Sequence, residues 1–166
     1  DERREREIEF LLRSVPRLVD RTPRHSERKI ESFLVEMACE IGVERNSPIM
    51  LAALSVLYED IHGIRKSYGR MVIKPMRSYA HKDAYNAVSD LHHVMLSAAG
   101  HTVFPGRHFS LCTADRGIAL FWSSLGIYGA DPGNRTVDLR YSMTTDLLCR
   151  LEEEEVMALA SRLREA

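Results

Sequence analysis

YNAVSDLHHVMLSAAGHTVFPGRHFSLCTADRGIALFW, residues 85–122, is the stretch on which the reading of the fold turns. Val88, Leu91, Met95 and Ala98 recur at helical spacing, so a helix is expected over residues 82–99, with Gly100 as its stop. Asp90 falls in the middle of that helix. Phe109–Cys112 reads as a short buried strand, and Thr113-Ala114-Asp115 opens another helix that runs to Leu125 before Gly126. An acid within a helix and an acid just past a strand's C-terminal end can converge at one rim of an α/β sheet, where ligands and metals bind. The functional reading therefore depends on whether Asp90 and Asp115 meet.

Working outward, the N-terminal side is helical. Ile8, Leu11, Leu12, Val15 and Val19 give a first helix that Pro16 should end or kink. Thr22-Pro23 looks like a cap followed by a first-turn proline, ahead of the stripe Ile30, Phe33, Leu34, Met37, Ala38, Ile41 and the stop at Gly42. Ser47-Pro48 repeats this start, and residues 49–61 are apolar on almost every side, as in a helix at the centre of a domain. Met71-Val72-Ile73 is expected to be a short strand, and residues 128–135 a loop. Residues 136–143 alternate in the manner of a half-exposed strand, and Thr144 or Thr145 should cap a last helix. Helices between strands from residue 71 onward favour a parallel sheet.

Composition narrows the function classes. The 166 residues carry a net charge of -1, so overall charge does not steer the chain to nucleic acid, although a local basic patch can. The three cysteines have no C-x-x-C spacing, which argues against a disulfide framework and for a reducing, cytoplasmic setting. No apolar run reaches the roughly 20 residues that span a bilayer, so no membrane role is expected. The start, DERREREIEF, is too polar for a signal peptide. Dinucleotide-fold glycine fingerprints, phosphate-binding glycine loops, serine-hydrolase elbows and zincin motifs are all absent from the sequence.

What remains is the carboxylates. Asp90 and Asp115 are joined by Asp83, further back on the Asp90 helix, and by Glu59 at the end of the central helix. Clustered carboxylates repel one another and persist when a divalent cation neutralises them, and all-oxygen ligands suit Mg²⁺ or Mn²⁺. Each acid also has a plain structural reading: Asp115 as an N-cap, Asp90 as a solvated side chain. Arg65, Lys66, Arg70, Lys74 and Arg77 form a basic stretch that could contact phosphates, with Tyr68 or Tyr79 stacking on a base. A solvated loop is the simpler account of it.

Over residues 47–126 these elements resemble PIN-domain nucleases. Asp90-Leu91-His92 stands where that family's third acid sits, and Thr113-Ala114-Asp115 is similar to its strand-end Thr-x-Asp, with the fourth acid at Asp115. SPIMLAAL, residues 47–54, is similar to its Ser-Pro-apolar helix start. The resemblance implies an α/β fold: a PIN-like three-layer sandwich with a short parallel sheet flanked by helices. Residues 1–166 would form one domain, of which 1–45 is a helical N-terminal portion. It implies a metal-dependent phosphodiesterase, an endoribonuclease, using Mg²⁺ or Mn²⁺. Asp90, Asp115 and Thr113 would be catalytic, with Thr113 holding a metal-bound water. Asp90 and Asp115 would hold the metal, with Asp83 and Glu59 as further ligands, and RNA would be the partner.

Two departures support a second reading. The family opens on an apolar strand ending in Asp-Thr-Asn, whereas this chain begins in a charged helix, as if truncated or rearranged there; and Ala53 stands where the family has Glu. The second reading is a non-catalytic, mainly helical protein–protein interaction domain, with a protein partner and with Asp115 serving only as a cap.

Overall fold

The centre of the molecule is a helix that is buried on all sides. In the computed structural model, every residue of Pro48–Leu57 is buried. That helix, α3, follows α1 (Glu2–Ser14) and α2 (Glu27–Ile41) and precedes α4 (Tyr68–Ile73), α5 (His81–Val103) and α6 (Arg116–Ser124). A hairpin of β1 (Gly126–Pro132) and β2 (Val137–Ser142) comes next, and α7 (Glu153–Glu165) closes the order. The structure describes residues 2–60, 62, 67–104, 107, 112–132 and 137–165.

Local chemistry explains most of the boundaries. Ser47 Oγ accepts the Met50 N–H at 3.2 Å and Pro48 occupies the first turn, so α3 starts where the Ser-Pro pair places it. Gly42 ends α2 in the left-handed conformation (φ 81°), its N–H bonded to the Ala38 carbonyl at 3.0 Å. Ser67 Oγ caps α4 through the Arg70 N–H at 2.9 Å. One apolar core draws on all seven helices, from Ile8 and Phe10 through Leu51 and Leu54 to Val156 and Leu163.

The α/β sandwich is not what forms. The sheet among the described residues is the antiparallel β1–β2 hairpin, with no parallel pairing, and helices make up the rest of the regular structure. Met71-Val72-Ile73, expected as a strand, is the second half of α4. The burial pattern gives the reason: Gly69, Val72 and Ile73 face inward at helical spacing, whereas a half-exposed strand would bury alternate residues. The strand expected at Phe109–Cys112 lies mostly outside the described residues, and Cys112 itself is in exposed, irregular backbone. Helix α5 continues through Gly100 to Val103. Thr144 does cap a turn, accepting the Leu147 N–H at 3.2 Å, but α7 begins only at Glu153, where three glutamates complement its N-terminal dipole. The strand at 136–143 is present as β2, while much of the expected loop at 128–135 is its partner β1.

Two glycines let α4 sit tightly between its neighbours. A Cβ on Gly69 would lie 2.1 Å from the Ala52 carbonyl oxygen, and a Cβ on Gly117 would lie 2.7 Å from Met71 Cβ. Thus α4 lies directly on α3, and the start of α6 lies directly on α4.

Buried charges join distant parts of the chain. Glu59, 1 % exposed, receives Arg70 at 2.6 and 2.7 Å, with Arg21 at 3.6 Å. Arg150 donates to the Glu59 carbonyl at 2.7 Å and the Thr22 carbonyl at 2.8 Å, and pairs with Glu27. Glu31 accepts from Arg162 and from the Tyr58 hydroxyl.

Candidate functional site

The close approach of α4 to α6 brings Lys74 to Asp115. Lys74 ends α4 with φ 54° and ψ 57°, the only non-glycine with positive φ among the described residues. Its N–H bonds the Arg70 carbonyl at 2.9 Å, and Pro75 prevents the helix from continuing. Left-handed backbone at a non-glycine residue costs about 1–3 kcal/mol and clusters at functional positions. From there the Lys74 ammonium reaches Asp115 Oδ2 at 3.3 Å.

Asp115 is held from several sides. Its Oδ1 accepts the Gly117 N–H at 2.8 Å and the Ile118 N–H at 3.2 Å, which makes it the N-cap of α6. Its own N–H donates to Thr113 Oγ1 at 3.0 Å. Burial raises this carboxyl, but the Ile118 and Gly117 N–H groups and Lys74 together hold it below the usual range. Asp90 has neither hydrogen bond nor ion pair among the described residues. Desolvation pushes its carboxyl up, the neighbouring Asp115 charge pushes it further, and Lys74 and His93 oppose both. Asp90 and Asp115, 25 positions apart (115 − 90) on different helices, therefore lie within electrostatic reach of each other, with Lys74 acting on both. A groove of about 470 Å³ opens beside Asp115, lined by Arg70, Met71, Lys74 and residues 114–117.

The other sequence candidates are placed elsewhere. Glu59 is enclosed by Arg70 and Arg21. Asp83 Oδ2 accepts the Ala80 N–H at 2.9 Å and so caps α5. His92, the histidine of the Asp-x-His motif, faces α1 and bonds the buried Glu7. Of the basic stretch, Arg70 is committed to Glu59 and Lys74 to Asp115, Arg77 is exposed, and Arg65 and Lys66 lie outside the described residues. Tyr68 and Tyr79 pack against the core instead of standing free to stack. Among the described residues no three His, Cys, Asp or Glu side chains gather at one point. Nor is any described helix long and apolar enough to cross a membrane. Sequence reasoning missed Lys74 as a central group. The Lys-Pro pair signals a helix end, but nothing in it signals the left-handed turn that aims the amine.

The two acids should respond oppositely to replacement. A carboxyl raised in the folded state binds more protons folded than unfolded, so stability falls as pH rises from 3.8, the ordinary aspartate value, through the raised one. Asp90→Asn is therefore expected to raise Tm at pH 7 and to have no such effect below the ordinary value. A depressed carboxyl contributes stability above its unfolded value that is lost as pH falls through the folded one. Asp115→Ala removes that contribution and the cap, about 1 kcal/mol, or about 2–4 °C in a chain of this size. Thermal melts of both variants between pH 3 and pH 7 check the signs; a fall in Tm for Asp90→Asn at pH 7 would show that its carboxyl is not raised in the folded protein.

Comparison of the chain with protein-family models, with curated proteins and with solved structures yields no match. Any class assignment therefore rests on the local chemistry of this site.

Proposed function

We propose that the Asp90–Asp115 site serves a divalent-cation-dependent phosphodiesterase acting on RNA. The observation that carries this is a pair of carboxylates within electrostatic reach of each other, Asp90 on α5 and Asp115 at the start of α6, the second of them lining a groove with Lys74 and Arg116. The reading needs no parallel sheet. The donor set fits Mg²⁺ or Mn²⁺, because Mg²⁺ is commonly held by one or two carboxylates and completes its shell with waters and substrate phosphate.

Asp90 and Asp115 Oδ2 are the groups that would hold the ion. A bound divalent ion supplies Lewis-acid polarisation of the phosphoryl group and a water of lowered pKa. The chain's own residues prepare the rest. The two backbone bonds to Oδ1 fix the Asp115 carboxylate and leave Oδ2 facing Lys74. Thr113 Oγ1 accepts the Asp115 N–H and keeps its own proton to orient a water or substrate oxygen. Lys74 and Arg116 supply positive charge for non-bridging phosphate oxygens.

The test is Mn²⁺-dependent cleavage of a mixed single-stranded RNA pool by the wild type, Asp90→Asn and Asp115→Asn. Loss of at least about 100-fold in both variants, with the fold retained, is expected if they share one metal. Mn²⁺ should also raise the Tm of the wild type by mass action and leave the variants unchanged. Cleavage that survives both substitutions, or a folded wild type that cuts nothing, would refute the proposal. The second reading, a helical interaction domain, is favoured by one feature: Lys74 already serves Asp115 as an internal counter-ion.

A further inference from the structure

The connection from α1 to α2 reads RLVDRTPRHSERK, residues 17–29, and holds five Arg or Lys against two acids in a chain of net charge -1. Its inward residues are fixed in place. Leu18, Thr22 and Glu27 are buried; Arg70 donates to the Leu18 and Val19 carbonyls, and Arg150 donates to the Thr22 carbonyl and pairs with Glu27. Glu27 is thereby neutralised from within, and Asp20 is the one exposed acid of the stretch. Arg17, Arg21, Arg24, Arg28 and Lys29 are all exposed, so an anchored backbone presents a local excess of positive charge.

Arg21 pairs with Glu59 and Arg28 with Glu31, whereas Arg24 stays 3.7 Å from Glu155, itself part-exposed. Arg17 and Lys29 have no carboxylate within ion-pair distance among the described residues. Arg17 Cζ lies 4.0 Å from the centroid of the Phe33 ring, which holds one face of the guanidinium against an aromatic. Its other face can stack on a nucleobase. The stretch also adjoins the carboxylate groove: Arg70, which holds the Leu18 and Val19 carbonyls, lines that groove with Lys74, Asp115 and Arg116. A lipid surface fits less well, because it needs large apolar side chains beside the cations. The exposed ones described are Met76, Tyr85, Leu96, Phe104 and Met157, all outside the connection. An acidic peptide would match the charge and leave the Arg17 plane unused.

We infer that residues 17–29 form the surface along which single-stranded RNA approaches the Asp115 groove, with Arg24 and Lys29 on phosphates and Arg17 stacked on a base. RNA as the occupant rests on the function proposed above; the basic surface and its junction with the groove do not.

Fluorescence anisotropy of a labelled oligouridylate with the whole chain in EDTA reads binding without cleavage. The double variant Arg24→Gln with Lys29→Gln should bind at least about tenfold more weakly. Between about 50 and 200 mM NaCl its slope of log affinity against log salt should be shallower by about 1.4, two single-strand phosphate contacts at about 0.7 each. Arg17→Lys keeps the charge and removes the plane, so a loss of about fivefold with the slope unchanged is expected. A matched pair outside the connection, Arg6→Gln with Lys82→Gln, removes the same charge from exposed positions and should change affinity less than about twofold. Far-UV circular dichroism confirms the fold of each variant. Equal losses in the two pairs would mean attraction by net charge alone and would overturn the inference. So would insensitivity to either change within the connection, no saturable RNA binding, or tighter binding of polyglutamate or anionic phospholipid vesicles than of RNA. The two proposals fail separately. A chain that binds RNA through these residues but cuts nothing with Mn²⁺ overturns only the phosphodiesterase, and one that cuts while the variants bind like the wild type overturns only this surface.

Discussion

Gly69→Ala is expected to be the most destabilising single-methyl change in this protein. The added Cβ would fall 2.1 Å from the Ala52 carbonyl oxygen, 2.8 Å from Ser55 Cβ and 3.0 Å from the Ala52 carbonyl carbon. None of these can yield by rotating a side chain, because Ala52 and Ser55 belong to the fully buried α3. Relief requires α4 to move away, and that breaks a relay. The Gly69 N–H donates to Ser55 Oγ at 3.1 Å, and Ser55 Oγ donates to the Leu147 carbonyl at 2.7 Å. Overpacking costs about 1–3 kcal/mol and occasionally more, and leaving buried polar groups unmatched adds about 1–3 kcal/mol. A total of about 2–6 kcal/mol follows, a large part of the 5–15 kcal/mol that holds a typical domain together. Urea unfolding measures it. Gly42→Ala is the internal control. Space is open there, with the nearest atom 3.5 Å away, but φ is 81°, so the penalty is the left-handed backbone alone, about 1 kcal/mol. Equal losses at the two glycines would mean that α4 does not lie on α3 as described.

Arg70→Met should cost about 3–5 kcal/mol, the usual consequence of leaving a buried charge without its partner. Glu59 would keep only Arg21, at 3.6 Å and 43 % exposed. The carbonyls of Leu18 and Val19, which receive Arg70 at 3.0 and 3.2 Å, would lose their donors as well. The double variant Glu59→Leu with Arg70→Met should recover part of this loss, since well-packed apolar groups can replace a buried pair at little cost. A double-mutant cycle in urea isolates the coupling. The same cycle distinguishes two roles for Glu59. A structural carboxylate gives a coupling energy that Mn²⁺ does not change; a metal ligand gives one that Mn²⁺ shifts. Additive effects of the two substitutions would show that the pair contributes nothing.

The parts of this architecture that were legible in the sequence are those governed by neighbouring residues. Ser47-Pro48 and an all-apolar run announced α3, Gly42 announced the end of α2, and the alternation of residues 136–143 announced β2. Asp115 as cap of α6 follows from Asp ahead of an apolar-periodic segment. Met71-Val72-Ile73 was not legible, because three apolar residues carry no period. Their state is set by Gly69, whose contact with α3 is a tertiary fact. The buried acids were hidden for the same reason. Glu27 and Glu31 sit in a highly charged segment that reads as solvated surface, and their partners Arg150 and Arg162 lie 123 and 131 positions away. In the candidate site, the two acids were identifiable as residue types with helical context. The reach of Lys74 to Asp115 depends on a backbone conformation that its side chain does not encode.

The long-range anchoring by Arg150 and Arg162 has a consequence for the order of events in folding. During synthesis, α2 leaves the ribosome more than a hundred residues before the arginines that complete it. At about 5–20 residues per second, that is a wait on the order of ten seconds. Through that interval Glu27, Glu31 and the carbonyls of Thr22 and Glu59 are better served by water than by a closed core. The helices can form early, but α2 cannot dock in its final arrangement until Arg150 and Arg162 arrive to neutralise its acids. Contacts of such high sequence separation also make for slow folding. Closure of α2 onto its buried acids is therefore expected to wait for Arg150 and Arg162.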